Sequence, residues 1–93
     1  MPSKIEASHI LVKTEQEANA AFYDATHGRN FEDVAKSVSI CPSAKKGGNL
    51  GWFGRNQMVK EFENAAFSLK KGEISKPVKT QFGWHLIKVN DSK

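Results

Sequence analysis

A chain of 93 residues with 39% hydrophobic residues carries enough apolar side chain for one compact domain with a modest core, and too little for a second. Its 14 basic and 10 acidic residues leave a formal net charge of +4, which attracts acidic partners weakly; the lysines are scattered, with Lys45-Lys46 and Lys70-Lys71 as doublets, so no nucleic-acid footprint is expected. No apolar stretch reaches signal-peptide or membrane-span length, and the lone Cys41 has no partner for an internal disulfide, so residues 1–93 are expected to form a single cytoplasmic domain without membrane contact.

Ile5 to Val12 reads as a strand, and Thr14-Glu15-Gln16-Glu17 is a capping box that starts a helix with the apolar stripe Ala18, Ala21, Phe22 and Ala25, ended by Gly28. A second helix starts at Asn30 and is expected to bury Phe31, Val34, Ala35 and Val38 before Pro42 prevents its continuation. Cys41 to Gly48 is then a loop, and Leu50 to Gly54 a short aromatic strand whose glycines permit a close approach. Met58, Phe62, Ala65, Ala66 and Leu69 share one face of a third helix, which Lys70-Lys71-Gly72 stops. Ile74 to Thr80 is expected to be a strand that Pro77 confines to a sheet edge or a bulge, and Gln81-Phe82-Gly83 turns into a last strand, Trp84 to Asn90. Four short strands with helices to cover them predict an α+β domain with a mainly antiparallel sheet. No apolar surface stripe is left over, so a monomer is expected.

Three residues stand out for chemistry. His9 and His85 each open an aliphatic run near opposite ends of the chain; if those runs are neighbouring strands, the period of two puts His9 with Leu11, and His85 with Ile87, on faces where two imidazoles can meet. A metal site is not expected, because the spacing of two His and one Cys matches no zinc motif. Cys41 with a histidine base is the minimum for nucleophilic catalysis, yet Ile40-Cys41-Pro42 lacks a glycine-rich nucleophile turn and Pro42 removes the nearest amide donor. Taken singly, a buried Cys is a small hydrophobe and a strand His satisfies a core hydrogen bond.

Taken together, the motifs are similar to the parvulin family of peptidyl-prolyl isomerases along almost the whole chain. The resemblance rests on Ser8-His9-Ile10-Leu11-Val12, on Phe31-Glu32-Asp33-Val34-Ala35 with Ser39-Ile40-Cys41-Pro42-Ser43, and on Gly47 to Phe53 with Gln57 to Phe67. Gly72 to Thr80 and Phe82-Gly83-Trp84-His85-Leu86-Ile87 complete it. It implies a parvulin-like sheet with the first and last strands as central neighbours, and rotation about X-Pro bonds without cleavage or cofactor, assisting protein folding. By the same resemblance His9, Cys41 and His85 belong to the catalytic centre, with Thr80 bonded within the histidine network. Met58, Phe62 and Phe82 would form the proline pocket, and Leu50, Phe53 and Gln57 its groove. Glu61 stands where many members carry proline, and position 41 is Asp in some relatives, which argues against a covalent role for Cys41.

Members selective for phosphorylated Ser/Thr-Pro carry a basic cluster after the first strand, whereas here only Lys13-Thr14 intervenes before the helix. The expected partners are therefore proline-containing polypeptides with an apolar residue before proline, without phosphate selectivity. The reading from another class is a non-catalytic module that grips proline peptides without turning them over.

Overall fold

The computed structural model describes residues 3–93. Its two longest strands, β1 (Lys4–Val12) and β4 (Gly83–Ser92), pair antiparallel at the centre of the sheet. β2 (Asn49–Gly54) flanks β1 and β3 (Val78–Thr80) flanks β4, giving the order β2-β1-β4-β3 with every pairing antiparallel. Between β1 and β2 the chain forms α1 (Glu15–Thr26), α2 (Phe31–Val38) and a 3-10 turn, Pro42–Lys46, while α3 (Lys60–Ser68) connects β2 to β3.

Alternation along the central strands divides the core in two. Ile5, Ala7, Ile87 and Val89 face α3 and pack with Phe53, Phe62, Ala66 and Phe67. Ile10, Val12 and Leu86 face the other way, against Ala18 and Ala21 of α1 and Phe31, Val34 and Ala35 of α2. Fully buried side chains such as Phe31, Ile10 and Leu86 each stabilise the fold by roughly 1.5–3 kcal/mol. The helix starts follow the expected chemistry: Thr14 Oγ1 accepts the Glu17 amide at 3.1 Å and bonds back to the Glu17 carboxylate, and Asn30 Oδ1 accepts the Asp33 amide at 2.9 Å.

Four local features differ from the sequence expectations. Val38 is 42% exposed, because it lies in the last turn of α2 where the chain leaves the sheet. The segment Cys41–Gly48 is not wholly irregular, since Pro42 takes the first position of the 3-10 turn, where its missing amide does no harm. Met58 precedes α3 instead of lying on its stripe. The strand expected over 74–80 is reduced to Val78–Thr80 plus an isolated bridge between Ile74 and Lys88, because Pro77 has no N–H for the ladder; Pro77 stands just before this edge strand. Among the described residues no helix is long and apolar enough to cross a membrane.

Gly48 is the tightest joint in the sheet. It accepts the His9 amide through its own carbonyl at 2.9 Å, has φ +86°, and a Cβ on it would overlap the His9 carbonyl oxygen. Gly72 has the same φ but open space around it. Gly48→Ala is expected to lower unfolding stability by at least ~2 kcal/mol, and Gly72→Ala by only about 1 kcal/mol, the backbone term alone. Urea unfolding of both variants checks this, and equal losses would contradict it.

Candidate functional site

The β1–β4 register sets His9 opposite Ile87 and Leu11 opposite His85, so the two imidazoles are diagonal neighbours on the α3 face. Their Nδ1 atoms lie 3.0 Å apart and the rings stack at a centroid distance of 5.2 Å. Phe62 from α3 stands edge-on to both rings, at 5.7 Å from His9 and 5.3 Å from His85. Behind the pair, His85 Nε2 is 2.7 Å from Thr80 Oγ1, which also accepts the Phe82 amide at 3.1 Å. His9 Nε2 is buried with no hydrogen-bond partner among the described residues.

A bond between two Nδ1 atoms requires one donor and one acceptor. Burial pushes the His9 imidazole down to about 4, with the neighbouring His85 adding to the effect, and burial lowers His85 as well, so at neutral pH both rings are uncharged and share one proton on this axis. If His9 donates, His85 Nε2–H donates to Thr80 and His9 Nε2 is a bare acceptor. If His85 donates, Thr80 donates to His85 Nε2 and His9 carries a stranded buried N–H. Orphaned buried donors are the rarer kind in folded proteins, which favours His9 as the donor.

Beside the pair lies an apolar cavity of about 270 Å³. β1 contributes His9 and Leu11, and β4 contributes His85. Cys41 reaches the wall because Ser39 Oγ accepts both the Leu11 amide at 3.0 Å and the Cys41 amide at 3.4 Å, tying the loop to β1. Leu50 arrives through a β-bulge: Ala7 pairs with Gly51 and Ser8 with Asn49, leaving Leu50 unpaired, while Asn49 Oδ1 accepts the Gly51 amide at 2.7 Å. Met58 and Val59 come from the β2–α3 loop, Phe62 from α3 and Phe82 from the β3–β4 turn.

Of the residues singled out in the sequence, His9, Cys41, Leu50, Met58, Phe62, Phe82 and His85 meet at this cavity, with Thr80 one layer behind. Phe53 and Gln57 are outside it. Phe53 pairs opposite Ile5 and turns into the core between Phe62 and Phe67, and Gln57 is exposed, its Oε1 accepting the Gly54 amide at 2.6 Å to close the turn. Cys41 makes no hydrogen bond to either imidazole among the described residues, which removes the geometry that a thiol–histidine nucleophile needs. The wall also includes Leu11 and Val59, not named from the sequence as site residues; the period of two from His9 marks Leu11, and nothing local marks Val59. Among the described residues no group of three or more His, Cys, Asp or Glu is placed to hold a metal.

The cavity falls inside a stretch, residues 9–91, that matches the family model described as the PPIC-type PPIase domain, or rotamase, and the chain belongs to this family of parvulin-type peptidyl-prolyl isomerases. It is 54% identical over 91 residues to the foldase protein PrsA of Geobacillus kaustophilus, a match covering 97% of this chain and 32% of the relative. The crystal structure of PrsA from Bacillus subtilis superposes with a TM-score of 0.93 at 50% identity, over 96% of this chain and 35% of that one. NmPin, the parvulin of Nitrosopumilus maritimus, superposes with a TM-score of 0.87 at 48% identity, over 98% of this chain and 99% of NmPin. The chain thus spans about a third of the length of the PrsA relative and nearly all of NmPin.

The buried pair makes stability depend on pH. Both imidazoles titrate lower in the folded chain than at the ordinary 6.5, so the unfolded chain takes up protons first as the pH falls. Stability is full above about pH 6.5 and declines toward pH 4, by on the order of 3 kcal/mol for His9. Urea midpoints between pH 7.5 and 5, where most carboxylates remain ionised, should fall for the wild type and fall less for His9→Asn; parallel curves would contradict the assignment.

Proposed function

We propose that the cavity holds the proline ring of an X-Pro segment and speeds rotation about the preceding peptide bond without covalent chemistry, cofactor or metal. One observation carries this reading: an apolar cavity large enough to admit a proline ring is built directly against an uncharged imidazole pair. Amide resonance opposes rotation by about 18–20 kcal/mol, and before proline the exchange takes tens to hundreds of seconds. The planar amide is the more charge-separated form, so removing water from its carbonyl destabilises it relative to the twisted one. A thousandfold acceleration needs only about 4 kcal/mol of such differential stabilisation. Neutral histidines suit this role, because an imidazolium at the wall would bring water and counter-charge with it. The histidine–threonine chain acts by holding the wall and its dipoles in place, and Cys41 sets the local field beside the substrate carbonyl.

The proposed substrates are polypeptides with an apolar residue before proline. Leu11, Leu50 and Cys41 offer apolar surface, no lysine or arginine lines the cavity, and Lys13 is exposed beyond β1. A role in folding is supported by relatives named as foldases. The cytoplasmic home and monomeric state expected from composition belong to this proposal too, and sedimentation of the isolated domain tests the second.

Phe82 is 59% exposed, so Phe82→Ala should leave stability within about 1 kcal/mol while lowering isomerase activity roughly tenfold through loss of the ring contact. Cys41→Asp should keep measurable activity and Cys41→Ala lose more. Two-dimensional exchange NMR on an Ala-Leu-Pro-Phe peptide and on a phosphoserine-proline peptide measures both. Fast exchange of the first peptide, weakened in Phe82→Ala, is expected; preference for the phosphopeptide would reject the specificity, and peptide binding without faster exchange would make this a proline-binding module.

A further inference from the structure

The β2–α3 loop carries Met58 and Val59 into the cavity, yet α3 begins without a side-chain cap, because Val59 stands in the N-cap place and has no acceptor to offer. The loop is held from the helix side by Glu63. This is the one carboxylate buried among the described residues, its side chain 12% exposed, and it is absent from the cavity wall. Each of its oxygens takes a donor from the loop: Oε1 accepts the Asn56 amide at 2.5 Å and Oε2 accepts Arg55 Nη1 at 3.3 Å. Asn56 sits in the left-handed region at φ +67°, where the chain reverses toward Met58. The Arg55 guanidinium in turn lies 4.2 Å over the Phe67 ring. Burying a carboxylate is unfavourable unless it is paired and hydrogen-bonded, and here both acceptors are spent on consecutive residues just ahead of two wall residues.

We propose that Glu63 is a positioning residue of this isomerase, which pins Arg55 and Asn56 and thereby holds Met58 and Val59 against the proline ring. It sets affinity for the X-Pro segment and has no contact with the reacting amide. The inference rests on the proline-pocket reading above. Gln57, closing the other side of the same turn onto Gly54, leaves Glu63 as the tie to α3. Without it the loop samples positions in which the wall is open, and apparent affinity falls by the fraction of time the closed arrangement is populated.

The test compares wild type, Glu63→Ala and Glu63→Gln for affinity, by titration with an Ala-Leu-Pro-Phe peptide, and separately for the exchange rate of bound peptide by NMR. Methyl relaxation of Met58 reports the loop directly. A closed arrangement populated about one tenth of the time predicts about tenfold weaker binding for Glu63→Ala, with bound-state exchange within about twofold of wild type and a more mobile Met58 methyl. Glu63→Gln retains an acceptor for the Asn56 amide and should lose about threefold, and it carries the test if the alanine variant does not fold. Unchanged affinity in the folded variants, or a loss confined to the exchange rate, would overturn the proposal. Wild type that binds without accelerating exchange would overturn the isomerase reading while leaving the role of Glu63 in affinity measurable; wild type that does not bind would overturn both.

Discussion

The register of one strand pair fixes nearly everything else in this molecule. Because β1 and β4 run antiparallel with Leu11 opposite His85, two histidines separated by almost the whole chain become diagonal neighbours, and an Nδ1–Nδ1 bond of 3.0 Å closes between them. A slip by one residue would send the affected imidazole to the opposite face, toward the α1 and α2 core. Gly48, by admitting β2 close to the His9 backbone, locks the other side of the same strand. The arrangement has a local cost, since His9 Nε2 is buried unpaired and such a group is unfavourable by about 1–3 kcal/mol. The two apolar clusters flanking the sheet offset it.

Around this rigid centre the cavity is assembled from residues that regular structure alone would not have brought together. A bulge supplies Leu50, a serine tether supplies Cys41, an uncapped loop supplies Met58 and Val59, and a turn held by Thr80 supplies Phe82. Thr80 therefore serves two purposes: its hydroxyl group terminates the histidine chain and fixes the backbone of the residue that rims the cavity. The proposed mechanism calls for a water-poor wall with fixed dipoles in place of a charged acid or base. A pair of imidazoles kept neutral by burial fits that proposal where a single exposed histidine would not.

Much of this was legible in the sequence. Period-two alternation placed both histidines on strand faces, Thr14 and Asn30 announced the helix starts, and Pro77 marked the edge. The motif resemblance carried the site assignments further than spacing could, and most of the residues it named meet at one cavity. Sequence spacing says least where a side chain answers to the backbone of a turn. Gln57 matches a groove position and uses its Oε1 to accept the Gly54 amide, and Phe53 matches an aromatic strand whose register directs it inward. Glu63 looks like any solvated helix glutamate, because its partners, Arg55 and the Asn56 amide, are brought to it only by a left-handed residue in the loop.

The claim on which the account turns is that the histidine pair is uncharged and shares a single Nδ1 proton in the working protein. Imidazole ¹⁵N shifts, from long-range ¹H–¹⁵N correlation at pH 7 with and without saturating Ala-Leu-Pro-Phe peptide, measure this directly. The account predicts one protonated and one bare nitrogen in each ring, with opposite Nδ1 states in His9 and His85, and no change of charge when peptide binds. An imidazolium in either ring, free or bound, would contradict it.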